Sequence, residues 1–75
     1  MDVITGSQCR MARALLCINQ NELAALSNVG LSTVVGIERA NGLPSCKMAS
    51  IQAVQDALIK TGRVVFTESG VASPT

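Results

Sequence analysis

Apolar residues recur at helical spacing in four stretches of the 75-residue chain. An apolar position every third or fourth residue gives a helix one face for the core and one for water. The pattern predicts helices over about residues 6–17, 20–27, 31–40 and 46–61, followed by a short β-prone segment at residues 63–67. The predicted inward positions of the first and last helices are Cys9, Ala12, Leu15, Leu16, Met48, Ile51, Val54, Ala57 and Leu58.

Capping patterns set the starts of the first two helices. Thr5 with Gln8, and Asn19 with Glu22, have the spacing of a capping box, in which each side chain binds the other residue's backbone N–H. Asn28 follows the second helix, where a left-handed residue is expected. Residues 41–44, Asn-Gly-Leu-Pro, predict a turn before a helix that begins at a Ser45 cap and ends at Gly62.

The second and third helices are short and separated by a tight turn. Leu23, Ala24 and Leu26 form the apolar stripe of the second helix, and Val34 and Ile37 that of the third. Because neither helix is long enough to be stable alone, both must pack on the flanking helices. This arrangement is typical of a helix-turn-helix. The residues on the opposite face of the third helix are Leu31, Ser32, Val35, Gly36 and Arg39.

The same stretch resembles a known DNA-binding family. The matching residues are Asn19-Gln20, Leu23-Ala24, Val29, Thr33-Val34, Ile37-Glu38-Arg39 and the turn at 41–44. They resemble the helix-turn-helix signature of the Cro/CI (XRE) family, over about residues 5–66. The resemblance implies an all-α, lambda-repressor-like bundle of four main helices with a short C-terminal strand. The DNA-binding domain is expected at residues 5–67 and a flexible tail at 68–75.

The family's contacts carry over onto particular positions. An arginine in the first helix of the family pairs with the glutamate that ends the third helix, which implies an ion pair between Arg13 and Glu38. The expected base contacts are Leu31, Ser32, Val35 and Gly36, because the third helix lies in the major groove. The expected phosphate contacts are Arg10, Asn19, Gln20, Arg39, Asn41 and Lys47.

The third helix departs from the family in its polar residues. Family members often have Gln, Arg or Asn on this face, whereas this chain has Ser32 as a short polar side chain. Leu31 and Val35 are suited to thymine methyl groups, and Gly36 allows close approach of the backbone. Modest direct readout is therefore expected, with DNA shape contributing.

Net charge is low for a DNA-binding protein, at +1. A homodimer would double any local positive patch, so the low charge does not exclude binding to double-stranded DNA. The segment with Val64, Val65 and Phe66 is expected either to pair with its copy in a second chain or to pack on the long helix through Phe66.

Other functional classes find little support. The chain has three cysteines, no histidine and no CxxC spacing, so neither a metal site nor a cofactor is predicted. Cys9, Cys17 and Cys46 are expected to be small buried residues in a reducing cytoplasm. No enzyme motif is present, and no apolar run or signal sequence predicts a membrane segment.

The predicted function is that of a small transcriptional regulator. An autoregulated repressor or controller protein, acting as a homodimer on a pseudo-palindromic operator, suits a chain without an effector domain. The alternative is a protein-directed antitoxin or anti-activator that binds a toxin or regulator protein through Leu31 and Val35.

Overall fold

The computed structural model describes residues 3–40, 47–68 and 70–74. These residues form a predominantly helical fold with a small two-stranded sheet. In chain order the elements are α1 (Gly6–Leu16), α2 (Gln20–Ser27), α3 (Leu31–Arg39), α4 (Met48–Lys60), β1 (Val65–Phe66) and β2 (Val71–Ala72). None of the helices in the described segments has the length and apolarity that crossing a membrane requires.

Both predicted capping boxes are confirmed. Thr5 Oγ1 accepts from the backbone N–H of Gln8 at 3.2 Å, and Gln8 Oε1 accepts from the N–H of Thr5 at 2.9 Å. Asn19 and Glu22 make the equivalent pair at 2.7 and 2.9 Å. Asn28 ends α2 at a φ of 57°, as expected for a left-handed residue. These contacts satisfy backbone groups that the first and last helical turns leave unpaired.

The core is aliphatic and lies between all four helices. Its largest fully buried side chains are Leu23, Ile37, Leu58, Val34, Val54 and Cys9. Three residues predicted to face inward do not: Leu15, Leu26 and Met48 are 38%, 50% and 59% exposed. Leu15 and Leu26 lie at the edge of the apolar face of their helices, and Met48 is the first residue of α4. At these positions the neighbouring elements do not cover the side chain.

The start of α1 touches the end of α3. A Cβ atom on Gly6 would lie 2.4 Å from the carbonyl oxygen of Ile37 and 2.8 Å from that of Ala40. Real Cβ atoms essentially never come this close to backbone oxygen, so any larger residue would push the two helices apart. Gly6 thus fixes how closely α1 supports α3.

The C-terminal segment forms a hairpin within the chain. Strands β1 and β2 are antiparallel, with Val65 opposite Ala72 and Phe66 opposite Val71. The expectation of a flexible tail at residues 68–75 is therefore wrong for β2, because Val71 packs against the core and its strand completes a hydrogen-bonded pair. Strand β1 therefore pairs along one edge with β2 of the same chain.

A buried glutamine attaches this hairpin to α1. Gln8 is 5% exposed, and its Nε2 donates to the carbonyl oxygens of Thr67 at 2.8 Å and Gly70 at 3.3 Å. The same side chain completes the capping box of α1. One residue therefore joins the start of the first helix to the turn of the hairpin.

Candidate nucleic-acid interface

Helix α3 has a buried side and an exposed side. Val34 and Ile37 are completely buried, whereas Leu31 on the other side is 41% exposed. Ser32, Gly36 and Arg39 are also exposed, and Val35 is half-buried. All four expected base contacts thus fall on the outer side of α3 or at its margin.

The inner side of α3 is held by hydrogen bonds to Glu38. This residue is 3% exposed and its carboxylate accepts from Arg13 Nε at 2.6 Å and Arg13 Nη2 at 2.8 Å. Gln20 Nε2 donates to it at 3.1 Å and Cys9 Sγ at 3.3 Å. The predicted ion pair of Arg13 with Glu38 is confirmed. Because α1 supplies Cys9 and Arg13 and α2 supplies Gln20, three helices meet at this carboxylate.

This network keeps Glu38 ionised. Burial acts to raise the pKa of Glu38, but hydrogen bonds from Arg13, Gln20 and Cys9 outweigh it and lower the pKa below its ordinary value. The hydrogen bond to Glu38 raises the pKa of Arg13 in turn. The negative charge of α3 is therefore neutralised inside the protein, and the ionised side chain left on its surface is that of Arg39.

The described cysteines differ in their surroundings. Burial, and then the neighbouring Glu38, raise the pKa of the Cys9 thiol to about 12, so Cys9 stays protonated and inert. Cys17 is exposed, contrary to the prediction, because it adopts the left-handed conformation that ends α1. Cys46 lies outside the described residues. Within those residues, no cluster of three or more potential metal ligands is present.

Three of the expected phosphate contacts already have partners within the protein. Arg10 Nη1 donates to the carbonyl oxygen of Glu38, and Nη2 to Ser7 Oγ at 3.1 Å. The side chain of Asn19 caps α2, and that of Gln20 braces α3 through Glu38. A basic group at the last carbonyls of a helix is favourable because those carbonyls lack intrahelical partners. Arg10 therefore has a structural role at the end of α3.

The other expected phosphate contacts are placed differently. Arg39 ends α3 and Lys47 precedes α4, and both side chains are exposed. Asn41 and the turn at 41–44 lie outside the described residues. The helix start predicted from a Ser45 cap is wrong, because α4 begins at Met48 with Lys47 at its N-cap position. The exposed cations on the two sides of the 41–46 segment are therefore Arg39, at the end of α3, and Lys47, before α4.

The three residues expected at a dimer interface do not form one surface. Val64 is 4% exposed and belongs to the core of its own chain, so its assignment to a dimer interface is wrong. Phe66 is half-buried against the same core, and Val65 is 46% exposed. Of the three residues, Val65 has the most solvent-exposed side chain.

Sequence reasoning missed two contacts of the Glu38 network. Cys9 and Arg13 are four residues apart on α1, so both face the same partner, and this spacing was a usable signal. The bond from Gln20 depends on the packing of α2 against α3 and had no local signal.

No protein-family model, no curated protein and no solved structure matches this chain.

Proposed function

We propose that this chain is a sequence-specific transcriptional regulator that binds double-stranded DNA, with a lambda-repressor-like helix-turn-helix fold of the Cro/CI (XRE) kind. It acts in the cytoplasm as an autoregulated repressor or controller protein, and as a homodimer on a pseudo-palindromic operator. The observation that carries this proposal is the asymmetry of α3. Its inner side is held by Glu38 and the core, while its outer side is exposed.

The dimensions of α3 suit the major groove. A helix of nine residues is about 13.5 Å long, and with side chains it is about 10–12 Å across. The major groove of B-form DNA is about 12 Å wide and admits one helix. In a helix-turn-helix the second helix, here α3, enters that groove. Because α3 is already held in place by Arg13 and Gln20, little further ordering is needed on binding.

The charge on α3 is compatible with a phosphate backbone. Its single carboxylate, Glu38, is buried and paired, so it does not repel DNA. Arg39 and Lys47 lie at and beyond the end of the helix, both exposed. Cations at this end are suited to contacts with phosphates on the groove edge. Arg39 therefore gives the end of α3 a positive charge despite the low net charge of the chain.

A homodimer fits the size of the chain. Half-sites of a palindromic operator are about 34 Å apart, which is one turn of the duplex. The longest dimension of the chain is 31 Å, so two chains side by side can place their α3 helices at this separation. Val65, which is 46% exposed on β1, is the proposed central contact.

The test is binding to duplex DNA from the region upstream of the chain's own gene. Affinity should fall steeply with added salt, with a slope of about −0.9 in log–log units for each neutralised phosphate. Arg39→Ala should weaken binding and reduce the slope by about one phosphate. Arg63→Ala is the matched control, because Arg63 is also exposed but lies beside Leu15 and Pro74. Absence of salt-dependent binding, or equal effects of the two variants, would contradict the proposal.

Footprinting on the same DNA tests the reading helix itself. Ser32→Ala removes the hydroxyl on the exposed side of α3 and should change the preferred base at one position per half-site. Ser50→Ala on α4 serves as the control and should leave that preference unchanged. An identical footprint and base preference for all three proteins would argue against α3 as the reading helix.

The apolar exposure of α3 supports one alternative. Leu31 is 41% exposed beside the half-buried Val35, and such a pair also suits the surface of another protein, as in an antitoxin or anti-activator. Isolation of a 1:1 complex with the product of a neighbouring gene, unable to bind duplex DNA and disrupted by Leu31→Glu, would favour this alternative.

A further inference from the structure

We infer that α3 selects its operator largely through the C5 methyl groups of thymine, an inference that rests on the proposed binding to DNA. The recognised sequence is then a T-containing half-site read by apolar contact. The protein distinguishes this half-site from other sequences by contacts with methyl groups in the major groove, and bidentate hydrogen bonds to bases contribute less.

The chemistry of the exposed side of α3 leads to this conclusion. Bidentate readout of guanine needs Arg or Lys, and that of adenine needs Asn or Gln. None of these types occurs in residues 31–38, the part of α3 before its last residue. The side chains that are exposed or half-buried there are two aliphatic groups, Leu31 and Val35, and two short hydroxyls, Ser32 and Thr33, neither of which can make a bidentate contact. The base-edge feature that aliphatic groups recognise is the methyl group of thymine.

Three longer polar side chains in the described part of the chain are not placed to act as these readers. Gln20 donates to Glu38 at 3.1 Å inside the protein. Arg10 is engaged with the carbonyl of Glu38 and with Ser7. Arg39 is at the C-terminal end of α3, whereas base contacts come from the N-terminal part of a recognition helix.

Spacing makes the target more specific. Leu31 and Val35 are one helical turn apart, so their Cβ atoms are about 5–6 Å from one another. Successive base pairs are about 3.4 Å apart along the duplex axis. The two side chains therefore meet methyl groups one or two base-pair steps apart. Gly36, next to Val35 and exposed, has no side chain to keep the helix away from the groove.

Replacement of thymine by uracil tests this directly, because uracil keeps every hydrogen-bonding group and lacks the methyl. Each thymine of the footprinted operator is replaced singly, and the affinities of wild type, Leu31→Ala and Val35→Ala are measured. At the contacted positions uracil should weaken wild-type binding about fourfold, which corresponds to the transfer of one methyl-sized group from water. The same replacement should have no effect on the variant that lacks the contacting side chain.

Leu26→Ala is the matched control, because Leu26 is 50% exposed on α2 and should retain the full sensitivity to uracil. Melting temperatures confirm that each variant is folded. Equal wild-type affinity for the thymine duplex and for a fully uracil-substituted duplex would overturn this inference and leave the proposed function intact. Failure to bind either duplex in a salt-dependent way would overturn the proposed function, and this inference with it.

Discussion

At the scale of single residues, the burial of Glu38 is a balance of large opposing effects. Removing a carboxylate from water is costly unless a cation and hydrogen bonds replace the lost solvation. Arg13 supplies two such bonds, at 2.6 and 2.8 Å, and Gln20 and Cys9 supply one each. The carboxylate is thereby satisfied from two helices, and its loss would leave all of these donors without their acceptor.

Glu38→Gln should therefore destabilise the protein strongly. A neutral amide leaves the partly buried Arg13 without its counter-ion, which typically costs about 3–5 kcal/mol. The free energy of unfolding of a domain of this size is about 4–11 kcal/mol, so a large fraction is at stake. Urea denaturation followed by circular dichroism measures the change. Glu22→Gln is the control, because Gln also completes the α2 capping box; a similar loss in both variants would contradict the assigned role.

The ionisation of Glu38 also makes stability depend on pH. Since its pKa is lower in the folded state than its ordinary value of 4.5, the unfolded chain binds the proton more readily. The stabilisation is fully present above about pH 4.5 and is lost as pH falls through the folded-state pKa. Wild type should lose more free energy of unfolding than Glu38→Gln between about pH 5 and about pH 3. Parallel pH profiles for the two proteins would rule out this contribution.

At the scale of elements, the close contact of α1 with α3 fixes the position of α3 relative to the rest of the fold. Gly6→Ala places a methyl group 2.4 Å from the carbonyl oxygen of Ile37, where backbone cannot move away without shifting a helix. Overpacking of this kind costs about 1–3 kcal/mol. Thermal denaturation should show a clearly lower melting temperature.

Gly30→Ala is the matched control for this prediction. Its Cβ would be 3.8 Å from Ser32 Oγ, an ordinary contact, and its φ of −70° suits any residue. Because Gly30 is the N-cap of α3, where Gly is preferred over Ala, the control should lose some stability but less than Gly6→Ala. Equal melting temperatures for Gly6→Ala and wild type would show that α1 and α3 do not depend on this close approach.

The helices differ in how well their patterns predicted burial. The starts of α1 and α2 were predicted correctly, because a cap such as Asn19 with Glu22 is a contact between residues three apart. The inward residues Val34 and Ile37 were also correct, since they lie at the centre of an apolar arc. Leu15 and Leu26 were not, because burial at the edge of an arc depends on which neighbouring element covers it.

At the scale of the whole molecule, the proposed homodimer predicts a contact surface at the hairpin. Val65 is 46% exposed on the hairpin, so Val65→Glu should weaken a dimer by placing a charge in its contact surface without disturbing the core. Sedimentation velocity should show a shift from dimer to monomer. Leu26→Glu, an equally exposed aliphatic position on α2, should remain dimeric. Persistence of the dimer in Val65→Glu would place the interface elsewhere.

Local chemistry along the chain was sufficient to predict four helices, two capping boxes, the left-handed Asn28 and the two faces of α3. These features depend on residues within one or two helical turns of each other. The burial of Val64, the intrachain pairing of β1 with β2 and the bonds from Gln8 to the hairpin required the folded structure. They join residues far apart in sequence, and their energy depends on surfaces that exist once the helices have packed together.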